Sequence, residues 1–264
     1  MSFYTHNSLI EEDNYRFLGG SKLEYIFDNT IERGVNLYNG TRLKVFGEYY
    51  QGISPTTEET FILGADFRFY LPIHRSLIFA GRIASSVSFG TGKLIYYLGS
   101  VDNWMNWSQD IPTFDHTVRV DPDENYIFQA VATDMRGFIQ NTRNGTKFLL
   151  ANAEIRWPMI QYLANRTLNS SFLNNFQLVG FTDIGSAWSG VHPWGENDAY
   201  NTKIIENNPI RIIINKNRSP FIVGYGFGLR SKILGYFVRT DWAWGVDGNV
   251  ILPRVFYFSL GLDF

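Results

Sequence analysis

Arg254-Val-Phe-Tyr-Phe-Ser-Leu-Gly-Leu-Asp-Phe264 is the stretch that decides the fold. Taken in steps of two, one face is Phe264, Leu262, Leu260, Phe258 and Phe256, and the other is Asp263, Gly261, Ser259, Tyr257 and Val255. A strict period of two marks a β-strand. One face is large and apolar, and the other is mostly small or polar. A transmembrane β-barrel needs this division, with lipid outside, a wet lumen inside and an aromatic at the interface. A soluble β-sandwich is the alternative, but its strands seldom end flush on an exposed aromatic.

The same alternation recurs upstream. Tyr236 to Trp244 sets Val238, Trp242 and Trp244 against Phe237, Arg239 and Asp241. Phe221 to Arg230 sets Tyr225 and Phe227 against a run of glycines ending at Arg230. Asn175 to Trp188 sets Leu178 and Ile184 against Gln177 and Asp183, and Thr146 to Trp157 sets Leu149 and Ile155 against Asn152, Glu154 and Arg156. Arg75 to Gly90 places Phe79 opposite Arg82, and Phe61 to Leu71 places Phe67 opposite Asp66 and Arg68. Thr41 to Tyr50 places Leu43 opposite Arg42, Lys44 and Glu48, and Ser21 to Thr30 places Leu23 opposite Lys22 and Glu24. The total is about nine strands, each near the 9–11 residues that cross a bilayer at a tilt. The fold class is therefore all-β, an antiparallel transmembrane barrel. The expected outer face includes Leu43, Phe67, Phe79, Leu149, Phe227, Trp242 and Phe258. The expected lumen face includes Arg42, Arg68, Arg82, Glu154, Asp183, Arg230 and Arg239.

Composition fits. Hydrophobic residues make up 45%, aromatics 17% and charged residues only 18%. Mean hydropathy is close to zero, as expected when lipid-facing and lumen-facing positions cancel. No apolar run approaches the roughly 18 residues of a membrane helix. A net charge of −2 gives no footprint for nucleic acid. With no cysteine there is no disulfide or thiolate site, and four scattered histidines give no metal cluster. Neither metal nor cofactor is expected. No Ser/His pair shares a depth on neighbouring strands, so no catalytic residue and no enzyme activity are expected.

Long and short connections alternate along most of the chain, as surface loops and periplasmic turns do. Leu71 to Arg75 and Arg230 to Gly235 are short, whereas Thr91 to Gly145 and Ser189 to Pro220 are long. Ile31 to Gly40 and Met159 to Asn174 are longer than a periplasmic turn requires. The first residues, Met1-Ser-Phe-Tyr-Thr-His6, show no basic segment followed by an apolar one. An outer-membrane protein must be secreted, so a signal is expected ahead of this stretch. Residues 1–264 read as one barrel domain, with 91–145 as a loop within it.

That long loop contains Asp134-Met135-Arg136-Gly137-Phe138. The strand after it carries Ala153-Glu154-Ile155-Arg156-Trp157-Pro158, and the next carries Phe181-Thr182-Asp183-Ile184-Gly185. Then come Gly228-Leu229-Arg230, Arg239-Thr240-Asp241 and the terminal Phe264. In this order the chain resembles the Omp85 superfamily, also called the bacterial surface antigen D15 or BamA/TamA family, from about Ser21 onward. The resemblance is closest to C-terminal barrels that, in some relatives, follow a TolB-like propeller. It places the family's lid motif on Met135, Arg136, Gly137 and Phe138, with Met in the first position. It places the strand motif on Phe181, Asp183 and Gly185.

The resemblance implies a lid folded into the lumen, with Arg136 meeting Glu154 and Asp183. It implies an outer-membrane location in bacteria, with the lipid bilayer as one partner and unfolded outer-membrane proteins as others. The implied function is protein insertion or translocation. The alternatives are a barrel that only anchors a periplasmic or surface domain, or a plugged pore. It also implies that Phe256, Phe258, Leu260, Leu262 and Phe264 form a C-terminal strand signal read by the assembly machinery. Family barrels have sixteen strands, so about nine correspond to the last nine. The remaining strands are expected from preceding polypeptide or another chain, and any POTRA modules are expected outside this stretch. Without the context of the motif, Arg136 reads equally as a solvated loop arginine, and Glu154 and Asp183 as unpartnered lumen carboxylates.

Overall fold

The computed structural model describes residues 17–54, 57–107, 112–121, 124–164, 169–195, 202–207, 210–215 and 218–261. In chain order the first strands are β1 (Phe17–Asp28), β2 (Ile31–Gly34), β3 (Leu37–Ser54), β4 (Glu59–His74) and β5 (Leu77–Gly90). The long insert follows with β6 (Lys93–Leu98), β7 (Tyr126–Ala132) and β8 (Arg143–Gly145). Next come β9 (Lys147–Trp157), helices α1 (Met159–Ala164) and α2 (Ser171–Asn174), and β10 (Gln177–Trp188). The chain continues with the hairpin β11 (Thr202–Asn207) and β12 (Ile210–Asn215), then β13 (Ile222–Ile233), β14 (Tyr236–Asp247), β15 (Val250–Ile251) and β16 (Val255–Leu260).

One antiparallel sheet forms the wall. Its order is β1-β3-β4-β5-β9-β10-β13-β14, with β16 pairing β14, which makes nine long strands. Short β2 and β15 extend the hairpins at β3 and β14. No ladder joins β1 to β16 among the described residues, so the sheet is open. Among the same residues no helix is long and apolar enough to cross a membrane.

The connections fill in two expectations and correct a third. Ile31 to Gly40, longer than a periplasmic turn requires, is a hairpin: Ile31 pairs with Asn39, and the turn lies at Val35-Asn36 with Asn36 at φ 61°. Met159 to Asn174 holds the two short helices, the second capped by the Ser170 hydroxyl at the Leu173 N–H. The insert 91–145, read as a loop, builds a three-stranded sheet in the order β7-β6-β8, with β6 and β7 parallel. The reason is in Lys93-Leu-Ile-Tyr-Tyr-Leu98, an apolar run without alternation, which suits a strand covered on both faces. Between β13 and β14, Leu234 and Gly235 both have positive φ (50° and 90°), as a two-residue hairpin turn demands.

The wall alternates as the sequence predicts. Phe67, Leu149 and Phe227 are exposed on the outer face, and Leu43, Phe79, Trp242 and Phe258 are half-buried there among aromatic neighbours. Phe227 stacks on Trp242 at 5.5 Å, and Trp242 meets Phe256 at 5.2 Å, forming an outward aromatic band. On the inner face burial rises along the sheet. Arg42, Arg68 and Arg82 are half-buried, whereas Glu154, Asp183, Arg230 and Arg239 are buried. The insert causes this gradient, because it covers the inner face from β4 to β16. In the C-terminal strand Phe256 is exposed and Phe258 and Leu260 are half-buried, while Leu262 and Phe264 lie outside the described residues.

The inner face is not uniformly wet. Leu150 of β9, Ala187 of β10 and Ile222 of β13 pack with Leu98, Met135 and Phe138 of the insert into a dry cluster. Ile62 of β4 packs with Leu94 and Tyr96 of the insert in another, and the Tyr96 and Ser86 hydroxyls share a hydrogen bond of 2.6 Å. Both cores lie between wall and insert, on the side away from lipid.

Candidate functional site

Antiparallel register aligns five inner-face residues across five strands. Arg82 of β5 lies beside Asn152 of β9, then Asp183 of β10, Gly224 of β13 and Gly245 of β14. The insert backbone from Thr133 to Phe138 runs along this row. The Arg82 guanidinium donates to the Thr133 carbonyl at 2.9 Å, and Asn152 Nδ2 donates to the Asp134 carbonyl at 2.6 Å. The Arg136 N–H donates to Asp183 Oδ2 at 3.1 Å. The two glycines leave room for backbone. A Cβ on Gly224 would overlap the Arg136 carbonyl, and one on Gly245 would lie 2.5 Å from the Gly137 carbonyl.

Arg136 is fully buried at the centre of this arrangement. Its Nε and Nη2 donate to the two oxygens of Asp183, each at 2.7 Å, in the two-pronged geometry that suits guanidinium and carboxylate. Its Nη1 donates to Glu154 Oε1 at 2.5 Å. The guanidinium also lies 3.8 Å above the Phe181 ring, a cation–π contact. Glu154 in turn accepts from Arg156 Nε at 2.8 Å and from both Nη atoms of Arg230 at 3.0 and 2.7 Å. Arg239 donates to Asp134 Oδ2 at 3.0 Å and lies 3.9 Å from Asp241. Four buried carboxylates (Asp134, Glu154, Asp183, Asp241) thus face four buried guanidiniums (Arg136, Arg156, Arg230, Arg239), and the cluster is neutral overall. Balance of this kind is what allows charge to be buried at all. At Asp134 burial pushes the carboxyl pKa up, but Arg239 and Arg136 outweigh it and hold it below the usual range.

The neighbouring residues of the insert fix the loop tip. Met135 is buried in the dry cluster, its sulfur placed where a Cβ on Gly185 would lie 3.2 Å away. Gly137 has φ 89°, and a side chain there would meet the Trp244 carbonyl at 2.6 Å, so only glycine fits. The Tyr257 hydroxyl of β16 accepts from the Gly137 N–H at 3.0 Å and donates to the Phe138 carbonyl at 2.7 Å. Phe138 is buried against Gly245 of the wall.

A family model described as the Omp85 superfamily domain matches residues 22–264. The chain belongs to the Omp85 superfamily. An Omp85 domain is characteristic of bacterial outer-membrane proteins. No curated protein matches the chain. Within this Omp85 domain the structure brings Met135, Arg136, Gly137, Phe138, Glu154, Phe181, Asp183 and Gly185 into one contact network. The C-terminal strand residues Phe256, Phe258 and Leu260 lie apart from it on the outer face.

Several partners were not singled out from the sequence. Arg239 reads from the sequence only as a lumen-face charge of the wall, yet it holds Asp134 of the insert. Arg156 and Arg230 read as lumen charges without a named partner, yet both converge on Glu154. Asn152, Tyr257, Gly224 and Gly245 also join the network. Their inward phase was readable from the sequence, but their contact with the lid depends on the path of an insert that carries no periodic signal.

Proposed function

We propose that this Omp85 domain takes part in inserting or translocating proteins at the outer membrane by strand exchange at a seam, without catalysis. The open sheet carries the proposal: among the described residues β1 and β16 both end it without pairing to each other. An edge strand presents N–H and C=O groups that another strand takes up. Strands that complete the wall would continue from the β1 edge, and an unfolded outer-membrane protein would pair at the seam beside β16 when it parts. Family membership supports the substrate class. The lid argues against a simple diffusion pore, because its buried ionic cluster and dry core fill the inner face from β4 to β16.

The test is depletion of the chain from its native outer membrane, followed by the amount of folded porin-type barrels, read from their heat-dependent mobility in gels. A fall in folded barrels is expected. Unchanged barrels, with loss only of a domain tethered to this chain, would make it an anchor.

A further inference from the structure

The outer edge of β16 is already occupied. Lid residues beyond Val101 run beside it, on the side opposite β14. Trp104 and Ser259 form an antiparallel bridge. The Met105 N–H donates to the Phe258 carbonyl at 2.8 Å, and Asn103 Nδ2 donates to the Leu260 carbonyl at 3.3 Å. Side chains alternate as they would on a strand: Trp104 packs on inward Tyr257 at 5.0 Å, and Trp107 on outward Phe258 at 4.8 Å.

We infer that the lid segment from Asn103 to Trp107 is a built-in substitute strand that caps the β16 edge, and that an incoming antiparallel strand must displace it. The identity of that incoming strand rests on the seam reading above, but the cap itself does not. The cap is tied to the buried cluster at two points. The Asp102 N–H donates to Asp134 Oδ1 at 3.1 Å. Tyr257, which stacks on Trp104, also holds Gly137 and Phe138 through its hydroxyl. Displacing the cap therefore disturbs contacts that hold the Arg136 loop, and the occupied edge and the docked lid form one device. A strand arriving at β16 would loosen the lid, and a docked lid would keep the edge closed to stray strands, which are an aggregation hazard.

The chain has no cysteine, so engineered pairs report cleanly. Trp104 and Ser259 form a non-hydrogen-bonded antiparallel pair, where Cα atoms stand about 4.5 Å apart, within disulfide reach. With Trp104→Cys and Ser259→Cys in the full chain in outer membranes, a mild oxidant should link lid to β16 in most molecules. A second arm uses Ser259→Cys alone and a synthetic peptide copying 101–107 with cysteine in place of the tryptophan at position 104. Capture of the peptide should be low with the native lid. It should rise roughly tenfold with Met105→Pro, which removes the N–H donor, and stay low with Met105→Ala, which keeps it. Trp104→Gly provides a second opened lid should the proline variant fail to assemble. No disulfide in the double variant, or peptide capture unmoved by both opened lids, would overturn the cap. Neither readout involves protein insertion, so that result would leave the seam proposal standing.

Discussion

Three guanidiniums converge on Glu154, from Arg136, Arg156 and Arg230, whereas Asp183 receives one guanidinium and the Asn152 amide. Stripping a buried ion pair of one partner costs about 3–5 kcal/mol. Glu154→Gln leaves three buried cations short of an anion and should fall at the upper end of that range. Asp183→Asn leaves one, and should fall at the lower end. Denaturant midpoints of the chain in lipid would check the order, and equal or reversed shifts would refute it. The carboxyl of Asp134 makes its contribution sensitive to acid and not to alkali. Its folded pKa lies below its ordinary value, so its contribution is complete above the usual carboxylate range and is lost only as pH falls through the depressed value. The Asp134 contribution to docking should therefore be the same at pH 5 as at pH 7, read as the difference in protease protection of residues 91–145 between the native chain and Asp134→Asn at the two values. Of this cluster, Arg136, Glu154 and Asp183 were legible from motif and phase. The convergence on Glu154 was not, because Arg230 aligns with Gln177 and Arg239 in the sheet yet reaches across to β9.

At the scale of elements, β13 and β14 owe their shape to what they must let pass. Gly224 and Gly245 are places where lid backbone touches wall backbone. Gly224→Ala should eject the Arg136 loop while β13 keeps its pairing, since the added methyl overlaps only the lid carbonyl. Gly180→Ala, on the outer face of β10 with nothing within 4 Å, should leave the lid docked. Limited proteolysis of the 91–145 segment separates the two, and equal cleavage in both variants would contradict the close-approach argument. The nine wall strands were readable because lipid and lumen impose a period of two. The strands of the insert were not, because β6 is covered on both faces and so loses the alternation that marks a strand. The helices after β9 escaped for a simpler reason: with six and four residues they are too short to show a helical period.

At the scale of the molecule, the wall formed by the described residues stops at β1 on one side and at β16 on the other. Cysteines replacing Leu23 and Phe258 should not cross-link within one chain, because more strands are required between those edges. An efficient intramolecular disulfide would mean that nine strands close alone. The open wall and the docked insert belong together, since the insert supplies apolar cores on the inner face of the sheet. The most direct measurement is a double-mutant cycle on that anchor, with Arg136→Ala, Asp183→Ala and both together, reading external protease access to residues 91–145 in outer membranes. Each single change should expose the lid to a similar degree, and the double change little further, because both remove the same interaction. Singles that leave the lid protected, or a double whose effect is the sum of the two, would contradict a lid held in the lumen by this pair.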